Sequence, residues 1–215
     1  MKLPLFSLGL PRLSTLAAAI LLPLALGGCQ TGPGLFDPPA SLTLTGRGTI
    51  HRAQNFLDSD EHPTVSLIFT HAYYAWEGKQ NIVLVMVDGT DEAPTSATTI
   101  RVLWRPEAGS TPIDENASNA SMHVMRFQSG HTEVWSGAGF VYFTGTPGKT
   151  DLSAECWGAD VVLQDASANV ADSLGPARAE GSCVATYNPD KVAQLLRALS
   201  RKASAGLDYP CLVRK

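Results

Sequence analysis

Four cysteines, five histidines, two acidic loops and one Gly-Lys-Thr turn are the residues of this chain with chemistry to offer. The cysteines stand at positions 29, 156, 183 and 211. No two share a C-x-x-C spacing, so neither a zinc knuckle nor a thioredoxin-type redox pair is indicated. The histidines, His51, His62, His71, His123 and His131, form no H-x-H or H-x-x-x-H pair. A zinc site needs three or four clustered ligands, so they read as exposed or internally satisfied side chains. Asp58-Ser-Asp-Glu-His62 and Asp88-Gly-Thr-Asp-Glu92 could offer oxygens to Ca²⁺, but neither has the EF-hand spacing, and both read as solvated loops. Gly145-Thr-Pro-Gly-Lys-Thr150 ends as a phosphate-binding loop ends. The glycine that such a loop needs five residues before the Gly-Lys pair is replaced by Phe143, and the segment reads as a hairpin turn. There is no G-x-S-x-G elbow and no S-x-x-K. No catalytic residue, metal ligand set or cofactor is therefore assigned from motifs.

The N-terminal residues carry a different kind of signal. Lys2 and Arg12 give a short basic start, residues 13–26 form an apolar run, and Gly27-Gly28-Cys29 follows. No acidic residue occurs before Asp37. This is the layout of an export signal. The alternative, a membrane-spanning anchor, needs roughly 20 apolar residues. The run is shorter than that, and Pro23 would break its helix.

At Leu26-Gly27-Gly28-Cys29 the sequence resembles the lipobox of bacterial lipoproteins. The resemblance covers the signal alone. It implies cleavage of the Gly28–Cys29 bond, a diacylglycerol thioether on Cys29, and often a further fatty acyl group on the new amino terminus. Gln30 lacks the Asp that retains lipoproteins of enteric bacteria in the inner membrane, so the resemblance points to the outer membrane of a Gram-negative envelope. Two or three acyl chains anchor firmly, since each buried CH₂ contributes about 0.8 kcal/mol. With Cys29 so used, three cysteines remain in an oxidising compartment, enough for one disulfide and one free thiol. Cys183 lies in an apolar strand and Cys211 in a tail that would otherwise fray. Cys156–Cys211 is the pairing favoured among the three.

Removing residues 1–28 takes away two of 16 basic residues and leaves 20 acidic ones, 14 − 20 = −6 in net charge. A mildly acidic surface gives no support to a nucleic-acid partner or to anionic-lipid binding, so no nucleic acid is expected and the lipid on Cys29 is left as the membrane contact. Residues 29–40, rich in Gly and Pro, form a linker of roughly 30 Å when extended at about 3.3 Å per residue. A protein or glycan partner is compatible with the aromatic residues. Tyr73, Tyr74 and Trp76 sit at one strand end, and Trp135, Phe140, Tyr142 and Phe143 lie on neighbouring strands, where they are expected mainly to fill the core.

The elements that must position these residues are strands. Segments starting near 41, 64, 81, 98, 121, 133, 140, 160 and 182 are rich in β formers and separated by Gly, Pro, Asn or Asp. His71 is expected to share a strand face with Tyr73 and Phe69. Residues 81–87 are apolar on both faces, as in a central strand. One helix begins at Asn188-Pro189, with Val192, Leu195, Leu196 and Leu199 in one stripe and Gly206 as its stop. Residues 41–215 are thus expected to form a single β-rich domain, an antiparallel β-sandwich with one C-terminal α-helix. A lipocalin-like barrel is the alternative, although Gly46-Arg-Gly stands where the lipocalin G-x-W would be expected. The functional expectation is a membrane-tethered, non-enzymatic envelope lipoprotein with a structural or binding role. A carrier of a small apolar ligand, or an enzyme with a dispersed site, is the alternative.

Overall fold

Alternating apolar residues drive nearly every strand. In the computed structural model they appear, in chain order, as β1 (Ala40–Gly46), β2 (Ile50–His51), β3 (Asp60–Glu61), β4 (Thr64–Phe69), β5 (His71–Glu77) and β6 (Asn81–Gly89). There follow β7 (Pro94–Val102), β8 (Ala120–Gln128), β9 (His131–Thr144), β10 (Leu152–Ala166), β11 (Ala177–Tyr187) and the helix α1 (Pro189–Leu207). The structure describes residues 40–48, 50–51, 60–104, 117–148 and 151–208. The signal, Cys29, the linker before Ala40, Lys149, Thr150 and Cys211 lie outside them.

Nine strands form one mixed sheet in the order β10-β9-β8-β7-β6-β5-β11-β1-β4, and β10 also pairs with β11. That last pairing turns the sheet into a ring. Most neighbours are antiparallel, but Thr186 and Tyr187 of β11 run parallel to Tyr73 and Tyr74 of β5. The expected mainly β fold with one C-terminal helix is present. The two facing sheets of a sandwich are not what the pairing describes.

Because side chains alternate across a strand, each strand of the ring has an inner and an outer face. The inner face is one continuous apolar cluster, with Leu42, Leu44, Phe69, Tyr74, Ile82, Leu84, Met122, Trp135 and Leu152 all essentially inaccessible. On the outside, Val83, Val85 and Val87 of β6 join Ala97, Met125 and Val134 beneath Val192, Leu195, Leu199 and Leu207 of α1. β6 is therefore buried on both faces, as its composition predicts.

The strand expected from Thr64 to Trp76 is interrupted at Thr70. Leu67 and Phe69 point inward before the break and Ala72 and Tyr74 after it, so the alternation slips by one residue. His71 consequently stacks on Tyr73, at 6.1 Å between ring centroids, and does not share a face with Phe69. β9 runs unbroken through Gly137 and Gly139, where the sequence reads as two strands.

The Asn188 side chain caps α1 by accepting a hydrogen bond from the Lys191 backbone N–H. The helix continues through Gly206 and ends at Asp208, which is left-handed with φ 58°. Gly206 is needed for contact and not as a stop: a Cβ there would lie 1.9 Å from Thr132 Oγ1.

Candidate functional site

The two cysteines within the described residues are inward-facing free thiols. Cys183 lies opposite Ala154 and Cys156 opposite Gly181, so the two are diagonal neighbours on the inner face of β10 and β11. Burial pushes the Cys183 thiol up to about 12 and raises that of Cys156 as well. Thiols held protonated in an apolar core are poor nucleophiles. Cys211 lies outside the described residues, and no disulfide is seen at Cys156, the residue expected to pair with it.

The other sequence candidates disperse over the molecule. Gly145 and Gly148, both at positive φ, lie in the connection between antiparallel β9 and β10, which is a hairpin. The Gly148 N–H donates to Tyr74 Oη at 2.9 Å. Asp88 accepts a hydrogen bond from Thr95, and Asp91 pairs with Lys191 of the helix, raising the lysine pKa. His62 and Gly48 are linked through His62 Nδ1, and His131 is exposed. Among the described residues no three His, Cys, Asp or Glu side chains gather as metal ligands.

One histidine has a partner that the sequence does not reveal. His123 stands directly opposite Ser136 on the outer face of β8 and β9, with Nδ1 2.7 Å from Ser136 Oγ. Burial, then the nearby Arg101 guanidinium, lowers its pKa, so the neutral ring prevails at pH 7. The pair matches a nucleophile and a base in distance, but among the described residues no carboxylate orients the far side of the ring, as a triad would require.

The aromatic residues divide in a way that composition alone does not reveal. Tyr74 and Trp135 fill the interior, with Trp76 and Phe143 packed against it. Phe140 and Tyr142, alternate residues of β9, point outward. They are joined by Trp104, two residues past the end of β7, and Trp157 in the β10 bulge. Trp104 meets Phe140 edge-on at 6.0 Å, Phe140 meets Tyr142 at 5.5 Å, and Tyr142 stacks on Trp157 at 5.2 Å with 27° between planes. Trp104 and Trp157 remain 41% and 45% exposed. Phe140, which joins Trp104 to Tyr142, is itself buried at 5% exposure, so the strip presents chiefly its two indoles to water. Sequence reasoning singled out neither Trp104, near the end of the segment expected from 98 to 105, nor Trp157, which precedes the strand expected from 160 and lies inside β10.

Two surface depressions are lined by charged side chains. One, of about 330 Å³, lies among Thr45, Gly46, Arg47, His62, Arg178 and Glu180. Its arginines are already paired, Arg47 with Asp160 at 2.5 Å and Arg178 with Glu180 at 2.7 Å. The other, of about 590 Å³, lies between Asp91, Glu92 and the helix residues Gln194, Ala198, Arg201 and Lys202, a mixed-sign rim. No family model, no curated protein and no solved structure matches the chain.

Proposed function

We propose that this protein is a membrane-tethered envelope lipoprotein that works by binding, through the outside of a barrel whose interior is filled by its own side chains. Counting β4 and β5 as one bent strand, eight strands follow one another antiparallel round the ring, which favours a barrel over a sandwich. The observation that carries the binding role is the outer strip Trp104–Phe140–Tyr142–Trp157. Two half-exposed indoles, Trp104 and Trp157, braced by the buried Phe140 and by Tyr142, are costly to leave in water, and exposed apolar groups held in place in this way support an interaction site. The tether rests on Leu26-Gly27-Gly28-Cys29, whose lipid would hold the acidic domain at a membrane surface.

The carrier reading has one observation in its favour: strands in a ring with a C-terminal helix on the outer face, as in the lipocalin resemblance. Against it stands the interior, where Phe69, Tyr74, Trp135 and Met122 occupy the space that an apolar ligand would need.

Two measurements test the reading. Intact mass of the full chain, extracted from membranes, is expected to show loss of residues 1–28 and added lipid on Cys29. An unmodified Cys29, or a retained signal, would overturn the tether. A photo-crosslinking amino acid at position 157 is expected to capture a discrete partner in cells, and Trp104→Ala to abolish the capture. A stoichiometric apolar small molecule in the native mass spectrum, with no capture at 157, would establish the carrier instead.

A further inference from the structure

Trp157 is held on the outer face by a local device. Between Cys156 and Ala159 the pairing of β10 shifts register against both β9 and β11, so Trp157 and Gly158 bulge from the strand. Gly158 sits at φ 141°, a conformation that side chains rarely adopt. A Cβ there would lie 2.4 Å from Arg178 Nη2. The guanidinium thus occupies the space that any other residue at 158 would fill. It donates from Nη2 to the Trp157 carbonyl at 3.0 Å and from Nε to Glu180 Oε1 at 2.7 Å. Bulge, bare glycine and arginine together fix the backbone that carries the half-exposed indole, and Tyr142 stacks against its ring.

The same guanidinium walls the depression of about 330 Å³, together with Thr45, Arg47, His62 and Glu180. Arg178 stands opposite Thr45 of β1 on one side and Asp160 of β10 on the other, and Arg47 reaches over β11 to Asp160. The indole and the depression are therefore joined through one side chain on one face of the sheet. The four charges cancel in two pairs, Arg47 with Asp160 and Arg178 with Glu180. An anion would have to displace a carboxylate from its arginine, and an apolar group would strand both. A hydroxyl donates and accepts, so it can bridge a guanidinium and its carboxylate without separating them. Hydroxyls set round an apolar C–H face are the chemistry of a sugar ring, and the apolar face matches the exposed indole.

Resting on the outer strip as a binding surface, we propose that Trp157 and this depression form one site for a neutral oligosaccharide. One sugar ring stacks on the indole, and hydroxyls of the adjoining ring meet the two arginine–carboxylate pairs. The test uses the full chain in a detergent without a sugar headgroup, titrated by calorimetry with cellohexaose and with the hexamer of N-acetylglucosamine. Saturable binding of at least one is expected. Trp157→Ala is expected to weaken it about tenfold, as for a central aromatic anchor. Glu180→Gln is expected to weaken it severalfold by releasing Arg178, and about 1 M NaCl to leave it unchanged, since no net charge is involved. Exposed ion pairs contribute little to stability, so Glu180→Gln should unfold at the temperature of the parent. Saturation by neither sugar, or binding that Trp157→Ala leaves intact, would overturn the site. So would displacement of the sugar by inorganic phosphate at low salt, the mark of an anion site. A protein captured through position 157 without sugar binding would remove the sugar and leave the binding surface standing, whereas neither capture nor sugar binding would remove both.

Discussion

Asn119 shows how much a single buried amide can do. Its Oδ1 accepts from the Val141 N–H at 2.8 Å, and its Nδ2 donates to the Val141 carbonyl at 2.9 Å and the Trp104 carbonyl at 3.2 Å. The side chain thus takes the place of a strand neighbour for β9 just before β8 begins. Asn119→Ala would leave a buried N–H and carbonyl unpaired, and the expected loss is about 2–4 kcal/mol in urea unfolding. Asn119-Ala-Ser121 reads in the sequence as a polar loop, because the pattern of types cannot say that the amide faces inward. His123 gives a second test at this scale. Its folded pKa lies below the unfolded value of about 6.5, so between the two values the unfolded chain holds more protons. Stability from this group is complete above about pH 6.5 and is lost as pH falls from there towards the folded pKa. The urea midpoint of the parent should drop on acidification from pH 7 to 5, and that of His123→Gln should drop less. Equal drops would show that the histidine does not report its burial.

At the scale of elements, β9 and β10 carry the sharpest prediction. A Cβ on Gly139 would lie 2.4 Å from Ala159 Cα and the Gly158 carbonyl oxygen, and one on Gly137 would lie 1.8 Å from the Asp160 carbonyl oxygen. The two backbones touch here, next to the bulge between Cys156 and Ala159. Gly139→Ala is therefore expected to cost about 3 kcal/mol or more by forcing the strands apart. Gly130→Ala in the β8–β9 turn has open space around it and only its positive φ against it, and should cost about 1 kcal/mol. Thermal unfolding of the two variants checks the contrast. The same glycines explain where sequence reading stops. A glycine pair inside an apolar run signals either a break or a close approach, and only the partner strand decides which. Elements set by local periodicity are legible: the capped amphipathic α1, the doubly buried β6, and the alternation of β1. Features set by pairing are not: the return of β10 onto β11, the phase slip at Thr70, and the sorting of aromatic residues to the inside or outside of the ring.

For the whole molecule, the proposed membrane attachment turns on what could hold an acidic domain there. Among the described residues no helix is long and apolar enough to cross a bilayer. Without residues 1–28 the chain carries 14 basic and 20 acidic residues, so an anionic lipid surface repels it on balance. If the tether is the acyl chains on Cys29, attachment is hydrophobic, and salt that screens charges beyond about 3 Å at 1 M should not release it. Washing membranes with 1 M NaCl is accordingly expected to leave the protein in the pellet. Cys29→Ser, expressed with its signal intact, is expected to lose the lipid and with it retention that survives the wash. Salt release of the parent would point to a charged docking site instead, and equal retention of Cys29→Ser would place the anchor in the uncleaved apolar run at 13–26. The three outcomes separate because each mode of attachment responds to a different variable: acyl chains to the loss of one thiol, charge pairs to ionic strength, and a spanning segment to neither.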